Sequence, residues 1–152
     1  MAGATEAMTS AGSTLAISDS LPATPTVTLY AALTYLDIGE ITDLGSTGRT
    51  YNIVTHNPVG SRGTVKLKGS YNDGTKTVQA AYAPGNTGQA MVATALDDDA
   101  FYSFKETLQD GTILYYQAMV ASAPVNVGTV DQVTGTTFNI EIKSGTIKVD
   151  LP

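Results

Sequence analysis

The residue best suited to catalysis in this chain of 152 residues is its single histidine, His56. A catalytic triad uses one imidazole to move a proton between a nucleophile and a reacting group. The sequence contains no Gly-x-Ser-x-Gly turn that would expose a serine, and no nucleophile signature lies beside His56. Cysteine is absent, which excludes thiol catalysis and cysteine-ligated zinc. We therefore expect no enzyme activity and no catalytic residues.

Three consecutive aspartates, Asp97, Asp98 and Asp99, could suggest a site for calcium or magnesium. An EF-hand loop places its acidic residues at alternating positions around a central glycine and ends in a bidentate glutamate. The aspartates here are contiguous and run directly into a predicted strand at Phe101. Neither of the usual glycine-rich nucleotide-binding motifs is present. We expect no metal site and no cofactor.

The charge balance argues against nucleic-acid binding. Eight Lys and Arg residues against fourteen Asp and Glu residues give a net charge of −6, whereas a protein that binds phosphate backbones needs an excess of cations. Only 14% of the residues are charged, against about 25% in a typical soluble domain. Burying such a surface against other protein costs little desolvation. An ordinary soluble β domain with a threonine-rich exterior would have the same composition.

The sequence gives no sign of a membrane protein or a secreted one. No apolar run approaches the roughly 20 residues that a membrane-spanning helix needs. Residues 1–20 lack the basic cluster followed by an apolar block that marks a secretory signal.

Three β-hairpins are the elements expected to position these side chains. In the first, Val65 and Leu67 alternate with Lys66 and Lys68, the period-two pattern of a half-buried strand. Each predicted turn contains a glycine after a polar residue, and Asp-Gly tolerates the positive φ angles of a type I′ turn. The predicted strand pairs are 64–70 with 77–82, 101–108 with 112–120, and 137–142 with 146–151.

One helix is predicted at about 86–97. Asn86 can cap its first turn, Gln89 stands three residues later in capping-box spacing, and Val92 and Leu96 form an apolar stripe. The dense apolar residues of 27–41 are compatible with one or two strands, and periodicity does not exclude a helix there.

The chain is predicted to consist of an N-terminal arm, 1–25, and a single β domain, 26–152. The arm is rich in small and polar residues, and Thr14–Ser18 is its only strand candidate. The domain contains a long glycine-punctuated loop, 45–63, interrupted by residues 51–56. Loops of this length in a compact domain are usually functional or disordered. The predicted fold class is mainly β, a hairpin-rich sandwich or barrel with one flanking helix.

The ordered combination of these segments resembles the tail tube proteins of long, flexible-tailed bacteriophages. Residues 64–74 resemble the central hairpin of that family, and the resemblance covers about 12–151. The later matching segments, in chain order, are the capped helix 88–96, the run 97–105, the turn 108–112, and 126–131 ahead of the strand 140–142.

The resemblance implies a structural virion protein without cofactor or catalytic residues. Subunits of that family form rings of six that stack around a tape-measure protein, between tail-tip or initiator proteins and a terminator. The resulting tube conducts DNA during ejection and is assembled in the bacterial host cytoplasm. The loop 45–63 corresponds to the family's insertion loop, which becomes ordered on stacking.

Two sets of residues are candidate sites in such a tube. Arginine forms bidentate bonds to carboxylate, so we expect contacts between subunits from Arg49, Arg62 and the nearby His56 to the cluster Asp97, Asp98 and Asp99. A ring of six chains would carry 6 × (−6) = −36 charges, and a negative lumen would let DNA slide. We expect the lysines of the first hairpin to be neutralised or turned away from the channel. The candidate lumen-facing carboxylates are Glu106, Asp110, Glu141 and Asp150.

Two rival classes remain open, another structural role and a binding role. The chain could be the tube subunit of a contractile tail, a secretion system or a gene-transfer particle. It could also be a standalone β-sandwich that binds a ligand, although such modules usually offer an aromatic platform and this chain has no Trp. An enzyme is the weakest of the classes.

Overall fold

A computed structural model describes residues 7–143 and 146–149 and is mainly β, as predicted. Neither of its two helices is long and apolar enough to cross a membrane. The helices are α1 (Val27–Ala31) and α2 (Thr87–Leu96), and the strands are β1 (Thr14–Ser18), β2 (Leu36–Ile38), β3 (Ile41–Asp43), β4 (Thr50–His56), β5 (Val65–Asn72), β6 (Thr75–Ala81), β7 (Tyr102–Thr107), β8 (Ile113–Ser122), β9 (Val125–Asn126), β10 (Gly135–Ile142) and β11 (Ile147–Val149).

Nine of these strands form one antiparallel sheet in the order β2-β1-β7-β8-β10-β6-β3, with β11 against β8 and β9 against β10. The two end strands, β2 and β3, are separated in the chain by only Gly39 and Glu40. The sheet must therefore curl until its ends meet, which gives a half-barrel. Strands β4 and β5 form a separate two-stranded sheet.

The inner face of the curl holds the hydrophobic core. Alternate residues of each strand point inward, as the pleat requires, and Phe104 on β7 stacks on Tyr116 of β8 with ring centroids 5.6 Å apart. Helix α2 covers this core with Val92 and Ala95. Further buried members of the cluster are Leu15, Ile17, Ile38, Val78, Ala80, Tyr102, Ala118, Val120, Phe138, Ile140 and Ile142.

A hydrogen-bond network around Gln89 seals the ends of the curl. Its side-chain amide donates to the backbone oxygens of Gly39 and Ala81, both at 2.9 Å, and its oxygen accepts from the N–H of Ala83 at 2.9 Å. Asn86, the N-cap of α2, accepts from the N–H of Gly39 and of Gln89. The capping pair predicted from sequence therefore also fastens the β2–β3 corner to the end of β6.

The outer face of the sheet is covered where α1 crosses it. Thr26 caps this helix through its hydroxyl, and Tyr30 stacks on Tyr115 of β8 with centroids 5.2 Å apart. Burial raises the pKa of both tyrosines. For residues 27–41 the sequence predicted one or two strands and did not exclude a helix. The structure has the short helix α1 there, followed by strands β2 and β3.

The helix α2 and the second predicted hairpin are confirmed. Strands β7 and β8 pair antiparallel from Tyr102 opposite Ala118 to Thr107 opposite Ile113, and Gly111 in their turn has φ +92°. The strand candidate Thr14–Ser18 is also confirmed, since β1 lies between β2 and β7. The division into an arm, 1–25, and a domain, 26–152, stays a prediction.

The predictions of the first hairpin, 64–70 with 77–82, and of the third, 137–142 with 146–151, are wrong. Strand β5 pairs with β4, whereas β6 pairs with β10 and β3, so the two strands leave the 73–74 turn into different sheets. Gly74 has the expected positive φ of 93°, but a turn fixes only local geometry. Strands β10 and β11 both run antiparallel to β8, so the chain continues along the same partner after 143 instead of reversing. Residues 144 and 145 of that predicted turn lie outside the described residues.

Removing the side chain of Gln89 should weaken closure of the sheet. Gln89→Ala leaves one partly buried N–H and two partly buried carbonyl oxygens without this partner, and an unsatisfied buried group costs about 1–3 kcal/mol before water relaxes into the site. We expect the free energy of unfolding in urea to fall by about 2–4 kcal/mol. Gln79→Ala, at an exposed site on β6, is the matched control and should change it by less than about 0.5 kcal/mol.

Candidate assembly interface

Strands β4 and β5 form a hairpin, here called the ribbon, that has no third strand within the described residues. Nearly all of its side chains are exposed. A two-stranded hairpin is marginally stable alone, and both of its outer edges offer unpaired backbone groups to another chain. The predicted loop 45–63 therefore contains the first strand of the ribbon and the connection to the second.

One face of the ribbon is apolar. Val54 lies directly opposite Leu67, and His56 opposite Val65. At the root, the register shifts between Tyr51 and Ile53, so Tyr51 and Tyr71, whose ring centroids are 5.5 Å apart, lie on the face of Lys68, which approaches the Tyr51 ring. Leu67 is 54% exposed, so the face with Val54 and Leu67 lacks a covering layer in the single chain. Exposed apolar faces of this kind mark sites of association.

The ribbon is also the cationic part of the chain. Residues 44–72 contain Arg49, Arg62, Lys66 and Lys68 and no Asp or Glu, a charge of +4, so the remaining residues carry −6 − 4 = −10. Lys66 and Lys68 lie on the opposite face from Val65 and Leu67, as predicted. This separation of charge gives the subunit one basic projection on an acidic body.

The root of the ribbon is clamped by an ion pair between Arg49 and Asp73. Arg49 Nε lies 2.8 Å from Asp73 Oδ1, its guanidinium lies 3.9 Å from the ring centre of Tyr71, and Nη1 donates to the hydroxyl of Tyr51. The hydrogen bond to Asp73 raises the pKa of Arg49 above its ordinary value. The guanidinium of Arg49 is therefore engaged within its own chain, and its contact with a neighbouring subunit stays a prediction.

A second ion pair lies inside the curl. Lys76 Nζ on β6 is 2.7 Å from Glu106 Oε1 on β7, and both side chains are buried. Lys76 also donates to Thr47 Oγ1 at 3.0 Å. Glu106 was predicted to face a lumen, and this is wrong for the subunit described here, because the pleat of β7 turns it inward beside Phe104. The expectation that the lysines are neutralised is met at Lys76, by this glutamate.

Two buried side-chain oxygen atoms inside the curl lack a full set of hydrogen bonds. The hydroxyl of Tyr116 has no hydrogen-bond partner among the described residues, and Glu106 Oε1 has none beyond its 2.7 Å ion pair with Lys76. Burial, and secondarily the charge of Glu106, raises the pKa of Tyr116 well above its ordinary value.

The opposite end of the subunit is acidic and apolar; we call it the acidic end. The root of the ribbon adjoins Thr75, where β6 begins, whereas the loop 125–133 precedes β10 and adjoins Ala81, about 20 Å away along β6. Leu96 and Val125 line one groove of about 330 Å³, which places the aspartates after Leu96 beside this loop. The acidic end comprises Asp97, Asp98, Asp99, Asp131, Val125, Val127, Val130 and Val133. Val127, Val130 and Val133 are each at least 66% exposed.

The remaining predicted site residues are spread over the subunit. Arg62 lies in the exposed connection at the tip of the ribbon, which begins after β4 ends at His56. Asp98 accepts hydrogen bonds from the hydroxyl of Tyr102 and from the N–H of Ala100.

The predicted lumen residues form hydrogen bonds within the chain. Asp110 accepts from the N–H of Thr112 in the β7–β8 turn, and Glu141 accepts from the hydroxyl of Thr75. Asp150 lies outside the described residues.

Sequence reasoning missed the Lys76–Glu106 pair and the Asp73 partner of Arg49. Lys76 shares the parity of Val78 and Ala80, which signals the inner face of β6. The sequence could not indicate that Glu106 is the partner of Lys76, because Glu106 is 30 residues away in the chain and reaches Lys76 only when the sheet curls.

Lys76→Met should leave the carboxylate of Glu106 buried without its ion-pair partner, at a cost of about 3–5 kcal/mol in unfolding free energy. Urea unfolding measures this loss. Lys66→Met on the exposed ribbon is the control and should change the free energy of unfolding by less than about 0.5 kcal/mol. A loss in Lys76→Met no larger than that of the control would contradict a stabilising Lys76–Glu106 ion pair.

No protein-family model and none of the curated proteins matches the chain. Solved structures do. A chain of the anti-feeding prophage baseplate has a TM-score of 0.73 at 12% identity, over 97% of this chain and 97% of that one. The SPP1 tail tube gives 0.65 at 14%, over 91% and 77%. The virion of a gene transfer agent gives 0.57 at 13%, over 89% and 95%. The chain therefore has the fold of components of phage tails and phage-like particles, and its resemblance to tail tube proteins is confirmed as a resemblance of fold.

Proposed function

We propose that the protein is a structural, non-enzymatic subunit that assembles with copies of itself into the tube of a phage tail or phage-like particle. The observation that carries this proposal is the pairing of unlike surfaces on one subunit. A basic ribbon with an apolar face lies at one end, and an acidic end with exposed valines lies at the other. Unlike surfaces favour head-to-tail contacts, which generate rings and stacks instead of closed dimers.

In the proposed contact the ribbon of one copy lies against the acidic end of the next. Arg62 at the exposed tip would pair with Asp97 or Asp99, and His56 would lie beside this contact. The apolar face around Leu67 would cover the exposed valines, whose burial contributes about 25 cal/mol per Å². Complementary charge would set the orientation and speed association more than it adds affinity.

The finer features of a tube are part of the same proposal. Rings of six subunits would stack around a tape-measure protein, between an initiator and a terminator, in a virion assembled in the host cytoplasm. The acidic body would line a channel through which DNA passes without binding, since like charge repels phosphate. Asp110 and Glu141, both partly exposed, remain proposed lumen residues, together with Asp150.

A tube of a contractile injection system is the second candidate. The observation that favours it is the match to a chain of an extracellular contractile injection system sheath–tube complex, with a TM-score of 0.60 over 91% of this chain. Both candidates require the same self-association, and they differ in whether a sheath surrounds the tube.

Self-association should be concentration-dependent and sensitive to the charge of the ribbon tip. We expect monomers in dilute solution and rings or tubes on concentration, measured by sedimentation velocity and negative-stain microscopy. Arg62→Glu should lower the assembled fraction about tenfold or more, because it sets like charges against each other at the contact. Combining it with Asp97→Arg restores an opposite pair between neighbours and should restore assembly.

Lys143→Glu is the matched control for this experiment. It makes the same change of net charge at an exposed lysine outside the ribbon, so it should leave assembly nearly unchanged. Monomers at every concentration, or a closed dimer as the end state, would contradict the proposed function.

A further inference from the structure

A short segment, 44–49, connects the sheet to the ribbon and lies across one end of the curl; we call it the strap. Gly45 has φ +71°, and a side chain at this position would collide with the backbone oxygen of Thr77. Leu44 packs against the core. The strap is therefore seated closely on β6, yet between these two residues and Arg49 it carries only small side chains.

Thr47 is the point at which the strap is tied to the interior. Its Oγ1 accepts a hydrogen bond of 3.0 Å from Lys76 Nζ, and the same ammonium is held by Glu106 on the other side of the curl. A buried ion pair gives little stability compared with apolar residues of the same volume. What it does provide is a charged donor with a fixed position, and here that donor reaches the strap.

There is space for the strap to move. A cavity of about 270 Å³ is lined by the strap residues Thr47, Gly48 and Arg49, and by Leu114 and Thr146 on the sheet side. Close by, Glu106 Oε1 and the Tyr116 hydroxyl have no hydrogen-bond partner among the described residues. The strap thus borders open volume on one side. Its middle is held by the charge-assisted hydrogen bond from Lys76 to Thr47 and its end by the ion pair of Arg49 with Asp73.

We propose that Lys76 and Glu106 are positioning residues that hold the strap, and through it the ribbon, in a single orientation. The ribbon begins at Thr50, one residue after the strap, so a displacement of Thr47 swings the ribbon as a whole. The consequence for assembly rests on the proposed function. The holding of the strap does not, because it is a property of the single chain.

Thr47→Val and Thr47→Ser separate this role from general stability. Valine keeps the shape of threonine and removes the acceptor, whereas serine keeps the hydroxyl. Hydrogen–deuterium exchange of dilute monomer should be at least about tenfold faster for Thr47→Val across the strap and β4, the effect of losing a hydrogen bond to a charged group. Exchange in β7 and β8 should not change, and Thr47→Ser should behave as the unaltered chain does.

Unchanged exchange of the strap in Thr47→Val, or equal acceleration over the whole sheet, would overturn the proposal. Assembly provides a second readout. If the strap loosens, and Thr47→Val also assembles at least about tenfold more slowly than Thr47→Ser, the orienting role is supported. If the strap loosens but assembly keeps its rate, the orienting role is overturned. If even the unaltered chain never assembles, the proposed function is wrong while the exchange result still decides the holding of the strap.

Discussion

The rest of the structure depends on the short connection between the two ends of the sheet. Strands β2 and β3 stand at opposite ends of a seven-strand order, but only two residues separate them in the chain, so the sheet can form only if it curls. Curling brings β6 and β7 to facing walls, which is what allows Lys76 and Glu106 to meet. It also places the β2–β3 corner within reach of Gln89, which bonds it to α2 and β6. The ribbon remains outside this sheet, and within the described residues neither of its two edges has a partner strand.

The distribution of charge follows the same division. Half of the eight basic residues lie in 44–72, where there is no acidic residue, and the body carries the negative charge. Inside the body, Lys76 is neutralised by Glu106, so it adds no positive potential to the surface. A subunit with a basic projection and an acidic body attracts copies of itself where the ribbon of one meets the acidic body of another, a contact that can be repeated head to tail. The fold shared with phage-tail components and this asymmetry support the same conclusion from independent directions.

The features predicted correctly from sequence were those determined by neighbouring residues. Asn86 and Gln89 identified helix α2, and Asp110 with Gly111 identified the β7–β8 turn. The first and third hairpins were wrong because the choice of a strand's partner depends on distant residues. Asn72, Asp73 and Gly74 form a turn as expected, but β6 gains more by burying Val78 and Ala80 against β10 than by pairing with the exposed β5. The pattern in 64–70 showed two unlike faces and could not show that neither face is buried. Glu106 looked like a surface carboxylate for the same reason, since its inward position depends on the curl.

The central claim is that copies of this chain associate through the ribbon of one and the acidic end of the next. A cryo-electron microscopy reconstruction of the assembly formed by the purified chain tests it most directly. The account predicts a head-to-tail stack in which the apolar face of each ribbon is covered by the neighbour's 125–133 loop and Arg62 lies within ion-pair distance of Asp97 or Asp99. Ribbons that project freely into solvent, or that pair with each other about a two-fold axis, would contradict it.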